Sequence, residues 1–186
     1  MTATARVPPS GEDFRWRHPP PPGKLGGFMD KERIRTAILR ALQDELDRQT
    51  GAALESKAEA TSEESKSEHK YDMRAQEAAY LAEGQARQAA EIAAAKEAYR
   101  SLALPDRPGG PADLGCVVTL EHAGRRQHYL LGPTRGGLDI TVDGEEITVI
   151  TPVSPLGRQL LGRRPGDGVQ LPGRGGAVAH RVVAVV

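Results

Sequence analysis

From Asp30 to Ala103 the chain carries no proline and only two glycines, Gly51 and Gly84. Uninterrupted chain of that kind is permissive for helix, and its apolar spacing agrees. Asp30 is a plausible N-cap, with Lys31, Glu32 and Arg33 opening a helix whose apolar residues fall at Ile34, Ile38, Leu42 and Leu46. Ala37, Ala41 and Ala53 widen that stripe, and the pattern predicts a helix from 30 to about 58. A second helix is expected from near Ser67 to about 102, with a stripe through Ala78, Leu81, Gln85, Ala89, Ile92, Ala95, Tyr99 and Leu102. Gly84 weakens it by about 1 kcal/mol relative to alanine. Small residues in the stripe let a partner helix approach closely, so the two segments are expected to form an antiparallel coiled-coil hairpin. Each arm would reach on the order of 40 Å. The tip, at about 59–68, leads into the acidic run Thr61-Ser62-Glu63-Glu64-Ser65-Lys66-Ser67-Glu68-His69-Lys70-Tyr71-Asp72.

On either side the texture changes. Residues 1–29, with Pro8-Pro9, Pro19-Pro20-Pro21-Pro22-Gly23 and Gly26-Gly27, read as a disordered proline-rich tail. Its one distinctive cluster is Phe14-Arg15-Trp16-Arg17-His18. After the hairpin, residues 104–112, with Leu104-Pro105-Asp106-Arg107-Pro108-Gly109-Gly110-Pro111, make a linker. From 113 to 186 the period switches to two. Strands are expected at Cys116 to Leu120, Gln127 to Leu131, Ile147 to Ile150, Val169 to Leu171 and Ala179 to Val186. Ser154-Pro155 caps a short helix with apolar positions at Leu156, Leu160 and Leu161. The whole reads as a two-domain α+β chain, a helical hairpin followed by a small α+β domain.

Charge narrows the function. The chain is neutral overall, but 30–103 holds 12 basic and 15 acidic residues, the wrong sign for generic nucleic-acid binding. No sequence-specific DNA contact is expected. The single cysteine, Cys116, excludes an intramolecular disulfide and suits a reducing cytosol. No apolar run approaches the roughly 20 residues of a membrane span, and no signal-type core opens the chain. A cytoplasmic protein with no membrane partner is expected.

The run Ile150-Thr151-Pro152-Val153-Ser154-Pro155-Leu156-Gly157-Arg158-Gln159-Leu160-Leu161-Gly162, followed by Gly166-Asp167 and a hairpin to the terminus, resembles the GreA/GreB transcription elongation factors. The resemblance spans roughly residues 30–186. It implies a coiled-coil hairpin preceding an FKBP-like domain that docks on RNA polymerase, here through Ser154, Pro155, Leu156, Arg158 and Leu161. It further implies that the hairpin enters the secondary channel of the polymerase. There the acidic tip, here Glu63, Glu64 and Glu68, would help hold a magnesium ion shared with the polymerase, near the 3′ end of backtracked RNA. Hydrolysis would be the polymerase's own, so the chain is not itself an enzyme and needs no cofactor in isolation. Magnesium takes oxygen ligands, keeps several waters, and often needs only one or two added carboxylates.

The family pattern, an aspartate with a glutamate three residues on and then a tyrosine, can be laid on the tip in two registers, and neither supplies both acids. Aligning Ser67-Glu68-His69 on the family's Ser-Glu-Asn places Glu68 on the glutamate and Ser65 on the aspartate. Aligning Tyr71 on the family tyrosine places Glu64 on the aspartate and Ser67 on the glutamate. Glu64 and Glu68 lie one helical turn apart and would converge if the turn stays helical. The rival reading is a non-catalytic regulator that occupies the same channel without stimulating cleavage, because that role needs the rod and the docking domain but not the acids.

Other chemistries find little support. The five histidines (18, 69, 122, 128 and 180) have no ligand spacing. Gly136-Gly137 and Gly173 to Gly176 lack a following helix with Lys-Ser/Thr, so they read as hairpin turns and not phosphate loops. Cys116 opens an apolar strand with no activator beside it. A prolyl isomerase site needs an aromatic-lined pocket, and residues 104–186 hold one aromatic, Tyr129.

Overall fold

The computed structural model describes residues 30–62, 71–105, 107–173 and 176–186. Two long helices come first, α1 (Lys31–Ser62) and α2 (Tyr71–Ser101). Strands β1 (Val117–His122), β2 (Arg125–Leu131), β3 (Asp139–Val142) and β4 (Glu145–Ile150) follow. The short helix α3 (Pro155–Leu160) and strands β5 (Gly168–Gly173) and β6 (Gly176–Val185) complete the chain. The class is α+β. The six strands form one sheet in the order β3-β4-β2-β1-β6-β5, with β2 and β4 parallel and every other neighbouring pair antiparallel.

Asp30 caps α1 as its side chain type dictates, its Oδ1 accepting from the Glu32 amide at 3.0 Å. The helix passes through Gly51 and is described as far as Ser62, beyond the expected 58; α2 is described from Tyr71, and the expected start near Ser67 lies outside the described residues. Ile34, Ile38 and Leu42 are buried against Ile92, Ala95, Tyr99 and Leu102, so the inner part of each stripe pairs as its spacing predicts. The outer part differs. Leu81 and Gln85, placed in the α2 stripe by spacing, are exposed, and every residue from 79 to 88 is exposed with them. The side chain of Ala78 lies outside the description. The composition supplies the reason. Beyond Leu46, α1 offers Leu54 as its only large aliphatic, and alanines on α2 face all sides, so little apolar area is available to hold the arms together.

The sheet is buried on both faces, which is why its central strands read as near-continuous apolar runs and not as strict alternation. Val117, Leu130, Ile140, Val142, Ile147 and Val149 face the base of the hairpin and share one apolar cluster with it. Their neighbours Val118, Leu120, Leu131, Ile150, Val169, Val182 and Val185 point the other way, onto Leu160 of α3. Layer order is therefore hairpin base, sheet, α3. Polar ties reinforce the first junction. Lys31 Nζ donates to the carbonyl of Pro105, and Arg35 Nη2 to that of Leu102 at 2.5 Å. Tyr99 donates its hydroxyl to the Thr134 carbonyl at 2.7 Å, and burial pushes its phenol well above the usual value, so it stays a neutral donor. Gly132 is required beside it, since a Cβ there would stand 2.2 Å from the Tyr99 hydroxyl.

Strand β3 was not anticipated. Its alternation is short, Ile140 and Val142 inward with Asp139 and Thr141 outward, and it is joined to β4 by Asp143 (φ 55°) and Gly144 (φ 85°). Two consecutive positive φ values mark the tight hairpin turn for which Asp-Gly is a known signal. At the opposite edge, β5 has its outer face occupied by a side chain. Gln159 Nε2 donates to the Gln170 carbonyl, and the Gln170 amide donates to Gln159 Oε1, both at 3.0 Å.

Candidate functional site

Two regions were singled out by sequence, the α3 surface and the hairpin tip. The first is fully described. Ser154 stands in extended conformation (φ −70°, ψ 156°) and caps α3, its Oγ accepting from the Gly157 amide at 2.9 Å and donating to the Thr151 carbonyl at 2.8 Å. Pro155 follows at the first helical position, where its missing amide proton costs nothing. Gly157 is buried against the preceding loop so tightly that a Cβ would meet the Thr151 carbonyl at 1.9 Å. These three residues therefore fix the direction in which the helix leaves the sheet.

That direction sorts the expected docking residues. Leu160 is fully buried and Leu156 half-buried against the same cluster, so Leu156 acts mainly as an anchor. Pro155, Arg158 and Leu161 face solvent. Arg158 Nη1 donates to the Val153 carbonyl at 2.6 Å, which holds the guanidinium against the loop. Arg163 Nε donates to the Gln159 carbonyl at 3.1 Å, and Arg164 is exposed beyond it. The surface missed by spacing is Val153, 77% exposed and flanking the cap. An apolar residue directly before a Ser-Pro cap, with no strand period of its own, was the available signal. The surface combines exposed Val153 and Leu161 with the cations Arg158, Arg163 and Arg164, suited to a protein partner with apolar and acidic groups.

Glu63, Glu64 and Glu68 lie outside the described residues, as does the cluster at 14–18. What the structure does place is the frame on either side of the tip. Leu46 of α1 packs at the margin of the shared cluster, and Ser62 ends the helix 16 residues later, about 24 Å along the axis. The base of the frame is held laterally by Arg135, whose Nη2 pairs with Glu45 of α1, and by Arg33, paired with Asp143 at 2.5 Å. Lys96 of α2 donates to Gln43 of α1.

A shallow groove of about 550 Å³ runs between α1 and β3, lined by Arg33, Arg40, Asp44, Asp139 and Asp143 among others. Its charges are mixed, and Arg33 is already engaged by Asp143, so it gathers no reactive set. Among the described residues, no three His, Cys, Asp or Glu side chains gather to hold a metal ion, and no helix is long and apolar enough to cross a membrane. Thr119, His128 and Glu145 fall in a line, with Thr119 Oγ1 3.0 Å from His128 Nδ1 and Glu145 3.5 Å from Nε2. His128 and Thr119 are buried in the sheet, so the line is structural and no substrate reaches it.

No protein-family model matches the chain, and no curated protein matches it. Among solved structures it is similar to GreA factor homolog 1 of Thermus thermophilus, at 24% identity over 81% of this chain and 95% of that one, with a TM-score of 0.33. The Thermus aquaticus counterpart gives 25% identity, 81% and 94% coverage, and a TM-score of 0.33. The GreA/GreB elongation factor of Nitrosomonas europaea gives 24% identity, 55% and 79% coverage, and a TM-score of 0.34. At these scores the overlays do not bear on function.

Proposed function

We propose that this chain is a transcription elongation factor that binds RNA polymerase and extends its helical hairpin into the secondary channel. The observation that carries the reading is the motif from Ile150 to Gly162, whose Ser-Pro cap and exposed Val153, Arg158 and Leu161 form a surface directly tied to the sheet that anchors the hairpin. In this reading the C-terminal sheet and α3 form the FKBP-like docking part. The two long helices then deliver Glu63, Glu64 and Glu68 to the polymerase active site, close to the 3′ end of backtracked RNA. Glu64 and Glu68 are the residues that would complete the oxygen shell of a magnesium ion there, and that ion would supply activation of the attacking water. The chain itself provides reach, orientation and carboxylates. Bond cleavage belongs to the polymerase.

A second reading has a specific observation in its favour. Neither register of the tip restores both family acids, since Ser65 or Ser67 replaces one of them. A non-catalytic regulator would keep the docking surface and the rod and dispense with the acids. Both readings are tested with purified polymerase stalled in a backtracked complex and scored for shortened RNA. Cleavage by the wild type that is lost in Glu64→Ala or Glu68→Ala supports stimulation. Binding without shortening supports the regulator. Absence of binding, with Arg158→Ala and Leu161→Ala behaving like wild type, removes both.

A further inference from the structure

His122 and His180 are 58 positions apart in sequence and form no spacing motif, yet strand pairing brings them together. Strands β1 and β6 run antiparallel with Leu120 opposite Val182 and Glu121 opposite Arg181, so the next residue of β1, His122, stands against His180. The ring centres are 4.8 Å apart, with planes inclined at 36°. His122 is exposed and His180 half-buried.

Each ring is held by its Nδ1. That of His122 lies 2.9 Å from the Ala179 carbonyl, and that of His180 lies 3.0 Å from the Val178 carbonyl. A carbonyl oxygen only accepts, so both Nδ1 atoms carry the hydrogen, and in the neutral rings both Nε2 atoms keep a lone pair. Anchoring one ring nitrogen on a backbone carbonyl is the arrangement that fixes the tautomer and orientation of a metal-ligating histidine. The spacing agrees. With a nitrogen–metal distance of about 2.1 Å, an ion stands about 3.2 Å from each ring centre. An ion bound by both Nε2 atoms at that distance would see ring centres 4.8 Å apart at about 97°. That lies between the square-planar and tetrahedral angles.

We propose that His122 and His180 form a two-imidazole site for a divalent transition metal of the copper, nickel and zinc class, bound through both Nε2 atoms with water at the remaining positions. Imidazole ligands suit these ions, and copper(II) stands highest in the affinity order. Arg125, the partner of His122 on β2, is the neighbouring cation; it is exposed to solvent, where its repulsion is screened. The site is independent of the polymerase reading, since it involves neither the tip nor α3.

The test uses the full, untagged chain in a non-coordinating buffer, titrated with copper(II) and followed by calorimetry and electron paramagnetic resonance. One equivalent is expected to bind with two imidazole nitrogens in its spectrum. His122→Gln and His180→Gln are each expected to lower that affinity by about tenfold or more. The double variant His18→Gln/His69→Gln should leave it in place. A measurement on the wild type alone guards against misfolded variants: copper(II) should broaden the imidazole signals of His122 and His180 before those of the other three histidines. Binding retained in His122→Gln/His180→Gln, binding lost in His18→Gln/His69→Gln, or broadening centred elsewhere would overturn the proposal.

Discussion

Ala123 sits at φ 49° and Gly124 at φ 76°, in the two-residue turn between β1 and β2. The same geometry recurs at Asp143 and Gly144 between β3 and β4. Aspartate tolerates that region; alanine does not, because its Cβ crowds the following carbonyl. Ala123→Gly is therefore expected to stabilise the protein by about 0.5–1 kcal/mol, and a thermal melt should show a rise of about 1–4 °C. His128 makes a second residue-scale prediction. Burial lowers its pKa, an effect that outweighs the opposing pull of Glu145. The unfolded chain takes up a proton near pH 6.5 while the folded chain resists it, so stability is whole above about 6.5 and falls as pH drops below it. Urea midpoints measured from pH 8 to 5 should decline accordingly, and His128→Gln should flatten that part of the decline. Neither effect was legible beforehand. The expected strands Cys116 to Leu120 and Gln127 to Leu131 bracket the Ala-Gly turn, but its strain depends on a backbone angle. Burial of His128 depends on which side of the sheet the hairpin covers.

At the scale of elements, the strands that carry long aliphatic runs were legible, and so was the Ser-Pro helix, because a Ser-Pro cap before Leu156 and Leu160 leaves few alternatives. Strand β3 was not, since four residues with two apolar positions give too short a period to outweigh the glycines before it. The exposed stretch of α2 from 79 to 88 was misread for the opposite reason. Alanine satisfies a stripe by spacing without supplying enough area to hold a neighbour. Gln159 shows an element acting on another through one side chain. Its amide occupies both outward hydrogen-bonding groups of Gln170, the positions through which an edge strand recruits a foreign one. Gln159→Ala should leave the fold intact yet raise the propensity to associate, read as growth in light scattering at concentrations where the wild type stays monodisperse.

At the scale of the molecule, the important junction is the cluster shared by the hairpin base and the sheet. Leu42 is fully buried there, in a core whose other members come from both helices and from four strands. Leu42→Ala should cost about 2–5 kcal/mol. Its signature is non-local: amide exchange should accelerate in β1 to β4 as well as in α1, whereas an independent hairpin would confine the change to its own helices.

The same junction turns the hairpin into a lever. Beyond Leu46, which packs at the margin of the shared cluster, α1 runs on for about 24 Å to Ser62, so angular play at the base is magnified in proportion to that length. A tilt of about 2° already displaces the far end by about 1 Å, the scale at which misplaced groups lose much of their effect in a reaction. The stiffness of the pivot, set by Tyr99 on Thr134 and by Arg135 on Glu45, thus governs aim at a point neither pair touches.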